Sequence, residues 1–154
     1  MHQLVYSIFV GCLAMLTVIM PAHAQSRDIP LIESSMKTFY LQAAIGEFDA
    51  GRFMVDTGSG YTTINKTSFE ALQKTNKLQF VKKILGVLAD GSQREVDIWQ
   101  IESLTINGVC TLKNIQVAYM PHTERQILGL TALRKAAPFT LSVNPPAITL
   151  SNCG

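Results

Sequence analysis

One carboxylate in this sequence stands in a setting suited to chemistry. Asp56 follows the apolar triplet Phe53-Met54-Val55 and opens the run Asp56-Thr57-Gly58-Ser59-Gly60. An apolar strand anchored in the core holds the residue at its end in place, and glycine beside the carboxylate lets the chain turn tightly. Thr57 adds a hydroxyl for the surrounding backbone network. Two carboxyls a few ångströms apart share one proton, because both cannot ionise cheaply. The ionised member of such a pair activates water while the protonated member polarises an amide carbonyl. The same residues also fit a plain Asx turn after a strand. An isolated Asp-Thr-Gly arises by chance in roughly a few per cent of chains of this length.

Further features raise the signal. Ile127-Leu128-Gly129 begins 71 residues after Asp56 and precedes a short helical segment. Between the two, Ala89-Asp90-Gly91-Ser92 separates β-prone runs at 80–88 and 93–101, a strong hairpin signature. None of the other aspartates, Asp28, Asp49, Asp90 and Asp97, precedes Thr-Gly. A carboxyl pair therefore needs a second copy of the chain, with a twofold axis bringing Asp56 against its mate.

Other chemistries find less support. His122, the only histidine after residue 24, follows Pro121 in a polar loop and reads as a surface residue. No Gly-x-Ser-x-Gly surrounds a serine, and no Cys-x-x-Cys pair offers a zinc site. Gly86 and Gly91 are spaced like a phosphate loop but lack its lysine. Trp99 reads as a core or interface aromatic, with a cleft wall as the alternative. Lys82-Lys83 reads as a solvated strand edge, and Asn65-Lys66-Thr67 is a glycosylation sequon.

The elements that must position Asp56 are mostly strands. Phe39, Leu41 and Ala43 alternate with polar or smaller residues, a half-buried strand. A turn at 47–51 leads into a strand at 52–55, and a short strand follows at 61–64. Thr67-Ser68-Phe69-Glu70 reads as a capping box opening a helix at 68–74 that buries Phe69 and Leu72. Asn107-Gly108 joins strands at 103–106 and 111–119. A short helix is expected at 131–136, then strands at 139–143 and 147–150 around Asn144-Pro145-Pro146. Short strands, close turns and few helices describe a mostly β domain.

The chain has 154 residues, room for one ordinary domain. Its net charge of +2 offers no field for nucleic acid, and its 47% hydrophobic content excludes a disordered chain. Residues 1–24 carry no Lys, Arg, Asp or Glu; residues 4–20 are almost wholly apolar and end in Pro21-Ala22-His23-Ala24. This reads as a signal peptide cleaved after Ala24, with an uncleaved membrane anchor as the alternative. Either reading exports the folded part, to the periplasm or beyond. Residues 25–36 read as a polar lead-in and 37–154 as the domain; a prosegment role for the lead-in has no motif behind it. Cys110 and Cys153 can then pair in an oxidising compartment, closing a loop of 44 residues; free thiols or a bond between chains remain the alternatives.

Taken together, Asp56-Thr57-Gly58, Ile127-Leu128-Gly129 and the intervening hairpin resemble the retropepsin-like aspartic proteases, especially exported bacterial members. The resemblance runs from about residue 39 to 150. It implies a closed β barrel of the acid-protease fold, with one or two short helices, acting as a homodimer on peptide or protein substrates without metal or organic cofactor. Asp56 matches the catalytic aspartate, with Thr57, Gly58 and Ser59 as its support. Gly60, the flap-tip residues Leu88, Ala89, Asp90 and Gly91, and Ile127, Leu128 and Gly129 match substrate-contacting segments, and Ile127-Leu128-Gly129 also matches the strand packed beneath the active-site loop. Ser59 stands where retroviral members usually have Ala, and Gly60 loosens the turn. A non-catalytic module that grips peptides or a partner through the same groove is the rival expectation.

Overall fold

The computed structural model describes residues 26–154; the apolar segment read as a signal peptide or anchor lies outside them. Among the described residues no helix is long and apolar enough to cross a membrane. The elements run β1 (Arg27–Pro30), β2 (Ile32–Glu33), β3 (Phe39–Ile45), β4 (Phe48–Val55), β5 (Thr62–Ile64), α1 (Lys66–Gln73), β6 (Leu78–Val87), β7 (Gln93–Ile106), β8 (Cys110–Tyr119), β9 (Gln126–Leu128), α2 (Leu130–Leu133), β10 (Phe139–Val143) and β11 (Pro146–Leu150).

Eight strands form one sheet in the order β2-β3-β4-β9-β5-β8-β7-β6. Pairing of β3 with β7, from Ala43↔Ile106 to Ile45↔Leu104, closes six of them into a barrel. The β6–β7 hairpin extends beyond the barrel. Inside lie Leu41, Ile45, Phe53, Ile64, Ile101, Leu104, Ile115 and Leu128, each almost fully buried. Burying such side chains is the main force that fixes strand register.

Turn chemistry accounts for the hairpins. Asn107 and Gly108 both take positive φ, 47° and 69°, the backbone that a two-residue hairpin turn needs. Asn107 also ties the turn to β3: Gln42 N donates to its Oδ1 at 3.0 Å, and its own N donates to Gln42 O at 2.8 Å. β7 is one continuous strand, so the runs at 93–101 and 103–106 belong together. The turn expected at 47–51 lies instead at Gly46-Glu47, where Gly46 has φ 58°. Gly51 falls at the bulge where the β3–β4 register shifts.

Two further expectations need correction. The helix starts at Lys66, not Ser68, because Asn65 is the cap: its Oδ1 accepts from Ser68 N at 2.9 Å. Thr67 is already helical, and Glu70 pairs with Lys66 at 3.6 Å rather than closing a capping box. Asn65 is fixed from outside the helix as well, since its Nδ2 donates to Glu124 O at 3.0 Å. Phe69 and Leu72 are buried as expected. The second correction concerns residues 25–36. Arg27–Pro30 pair antiparallel with β11 in a three-stranded sheet β1-β11-β10, and Ile29 and Leu31 join the core. Two apolar residues at alternate positions suffice to seat a strand among polar neighbours.

Trp99 packs against Phe69 and Phe80, with ring centroids 5.1 and 5.3 Å away. Lys82 and Lys83 lie exposed on the edge strand β6, where Lys83 meets Glu95 at 3.3 Å. Cys110 and Cys153 are joined within the chain, Cα atoms 4.7 Å apart, linking the start of β8 to the segment after β11. On the chain-entropy argument a loop of this length contributes about 4 kcal/mol. The double substitution Cys110→Ser, Cys153→Ser is therefore expected to lower unfolding stability by about 2–4 kcal/mol, measured by denaturant titration.

Candidate active site

Asp56 is the first residue beyond β4, and the strand's neighbour fixes where it sits. β4 runs parallel to β9 in the register Phe53↔Gln126, Met54↔Ile127, Val55↔Leu128. Asp56 N extends that ladder by donating to Leu128 O at 3.2 Å. The chain then folds back on the carboxylate: Gly58 N donates to Asp56 Oδ1 at 2.8 Å, and Ser59 N donates to Asp56 O at 3.3 Å. A Cβ at residue 58 would stand 3.2 Å from that same carboxylate oxygen. The Asx-turn reading and the chemical reading thus describe one geometry.

The loop is clamped from below. Ser59 Oγ donates to Tyr61 O at 2.7 Å, and Ser59 O accepts from Leu130 N at 2.9 Å. Gly129 N donates to Thr62 Oγ1 at 3.2 Å, while Thr62 N donates to Thr131 Oγ1 at 2.8 Å. A Cβ on Gly129 would collide with the carbonyl group of Tyr61 and lie 2.9 Å from Ser59 O. Only glycine allows the start of α2 to approach the loop this closely.

Above the loop lies a cavity of about 590 Å³, roofed by the β6–β7 hairpin. Of the expected residues, Asp56, Gly58, Ser59, Gly60, Leu88, Ala89 and Ile127 line it. Leu128 and Gly129 do not; both are buried beneath the loop as its support. Asp90 and Gly91 are exposed at the hairpin tip, outside the cavity wall. Thr57 is exposed too, and its hydroxyl makes no hydrogen bond among the described residues. Asp56 is the one carboxylate on the wall among the described residues. Trp99 is absent from the wall, and exposed His122 borders an adjoining hollow of about 330 Å³.

Sequence reasoning missed Tyr61, Thr63, Ile84, Met120 and Arg125, all on the wall. The signal for Arg125 was present in the alternation of β9, where Gln126 and Leu128 are buried and Ile127 faces the cavity. Thr63 carries a buried hydroxyl without a partner.

At the hairpin tip, Leu88 N donates to Ser92 O and Gly91 N to Leu88 O, each at 2.9 Å. Asp90 Oδ1 accepts from Ser92 Oγ at 2.6 Å and Ser92 N at 2.9 Å. The Ser92 hydroxyl, and after it the Ser92 amide, holds the Asp90 carboxyl below its ordinary range, with a weaker pull from Arg94.

A family model described as "gag-polyprotein putative aspartyl protease" matches residues 41–135, from β3 through α2. This stretch holds the barrel, the Asp56 loop, the hairpin and Gly129. The chain belongs to the retropepsin-like aspartic protease family. Its fold is similar to that of a retropepsin-like aspartic protease from Rickettsia conorii, with a TM-score of 0.59 at 18% identity, covering 83% of this chain and 92% of that one. No curated protein matches. Family membership supports a peptidase function for this retropepsin-like chain. The three-stranded sheet, apart from any part of the matched stretch, is composed of β1, β10 and β11, which fall outside residues 41–135.

Gly129→Ala in this retropepsin-like chain is expected to lower stability by at least about 2 kcal/mol, because backbone rather than a flexible side chain blocks the new methyl; thermal unfolding measures it. The hairpin tip has its own pH response. Because the folded Asp90 carboxyl titrates below its unfolded value, its stabilising contribution is present above about pH 4 and is lost as the pH falls through the folded value. Amide shifts of Ser92 are expected to stay constant from pH 7 to about 5 and move only below about pH 4.

Proposed function

We propose that this chain is an aspartic endopeptidase, active as a homodimer in which the two Asp56 carboxyls meet across a twofold axis. The observation that carries this reading is the solitary carboxylate on the cavity wall, backbone-anchored and open on one side. Acid–base hydrolysis of an amide needs one ionised and one protonated group. With a single Asp-Thr-Gly per chain, symmetry supplies the second. The exposed Thr57 hydroxyl beside it is available to a second subunit.

In the working pair, water lies between the carboxyls. The ionised Asp56 takes a proton from it as its oxygen bonds to the scissile carbonyl carbon. The protonated Asp56 donates to the carbonyl oxygen, giving a neutral tetrahedral diol. Transfer of a proton to the amide nitrogen and return of one from the diol break the C–N bond and restore the shared proton. The extended peptide would lie as an added strand under the hairpin, with alternate side chains in apolar pockets, and closure of the hairpin would exclude solvent. The Cys110–Cys153 bridge supports an oxidising compartment, in keeping with export.

Asp56→Asn is expected to abolish cleavage of unstructured peptides, by at least about a thousandfold, with unchanged circular dichroism. Activity should favour mildly acidic pH, because the pair works with one shared proton. Sedimentation of a fully active monomer, or undiminished cleavage by the variant, would overturn the reading; peptide binding without any cleavage would favour the non-catalytic module.

A further inference from the structure

Beyond Asp56, one charged side chain among the described residues faces the cleft. Arg125 is exposed and lines the cavity together with Ile127. Strand period explains why: successive residues point to opposite faces, and Gln126 and Leu128 are buried on the other side. The backbone around Arg125 is tied down. Its own N donates to Thr123 Oγ1 at 3.1 Å, and Glu124 O is held by Asn65. Gln126 accepts from Ser68 Oγ at 2.7 Å and donates to Ala50 O.

The ion pairs among the described residues engage Lys37, Lys66, Lys77 and Lys83, and leave the Arg125 guanidinium uncommitted. Most of the remaining wall is apolar: Tyr61, Ile84, Val87, Leu88 and Met120.

We propose that Arg125 makes this cleft select peptides with an acidic side chain close to the cleaved bond. The proposal rests on the endopeptidase reading above. A guanidinium offers a planar fork of donors that a carboxylate can match two at a time. Against an otherwise apolar wall, an Asp or Glu side chain gains a charge-assisted contact there that an apolar side chain cannot make. The Asp56 pair opposes this only weakly, since two carboxyls sharing a proton carry about one negative charge while two Arg125 side chains carry two positive ones. Under twofold symmetry an Arg125 flanks the substrate on both sides of the scissile bond, so the acidic residue is accepted on either side.

Cleavage-site profiling on a mixed peptide library compares wild type, Arg125→Met and Arg125→Glu. Wild-type sites should be enriched about three- to tenfold in Asp or Glu near the cut. The enrichment should disappear in Arg125→Met, turn toward Lys or Arg in Arg125→Glu, and weaken in high salt. An Arg125→Glu profile identical to wild type overturns the proposal while leaving the endopeptidase reading intact. If wild type cuts nothing, that reading fails, and fluorescence anisotropy with matched acidic and neutral peptides on Asp56→Asn protein decides the proposal. Tighter binding of the acidic peptide, lost on adding Arg125→Glu, supports it; equal affinities overturn it.

Discussion

The close approach of Gly129 to the backbone of residues 59–61 is the constraint on which the site depends. At that point two segments far apart in sequence touch without room for a methyl group. The contact lets Leu130 N reach Ser59 O and lets Gly129 N reach Thr62 Oγ1, while one residue earlier Leu128 O accepts from Asp56 N. Asp56 therefore hangs from a parallel ladder on one side, and its loop is pinned against a helix start on the other. A carboxylate placed for chemistry needs such fixed placement, because misplacement by about an ångström forfeits much of the advantage of proximity.

Floor and roof of the cleft are built differently. The floor is continuous with the barrel core through Phe53, Ile64 and Leu128, all fully buried. The roof is a two-stranded ribbon whose edge strand exposes Leu85 and Val87, held at the tip largely by bonds among its own residues 88–92. Local opening draws on regions with few buried contacts, and β6 has no buried residue. On the proposed function, this division suits a site that admits an extended chain and then excludes water. The wall between floor and roof, from Met120 to Ile127, contributes both apolar surface and the Arg125 charge.

The terminal sheet completes the molecule outside the stretch that matches the family model. β11 lies between β1 and β10, drawing the first and last described strands together. Beyond it, Ser151 N donates to Ala136 O and Gly154 N to Thr111 O, and the Cys110–Cys153 bridge fastens the same segment to β8. The small sheet is thereby tied both to the turn after α2 and to the barrel.

What the sequence by itself determined is the chemistry that operates over a few residues. Asn107-Gly108 and Asp90-Gly91 mark hairpins because glycine and asparagine tolerate positive φ, and alternation in β3 and β10 marks strands because side chains leave a strand with period two. Asp56-Thr57-Gly58 is legible for the same reason, its turn closing on itself within three residues. Tertiary structure decided the rest. Asn65 displaced Thr67 as the helix cap by a bond to the distant Glu124, and Ile29 entered the core only because β11 lies alongside. Leu128 and Gly129 lie beneath the loop, as the resemblance implies, but do not line the cleft, and Arg125 came to face it. Each of these outcomes depends on which remote backbone arrives next to which, and that is set by barrel closure and core packing, not by any local preference.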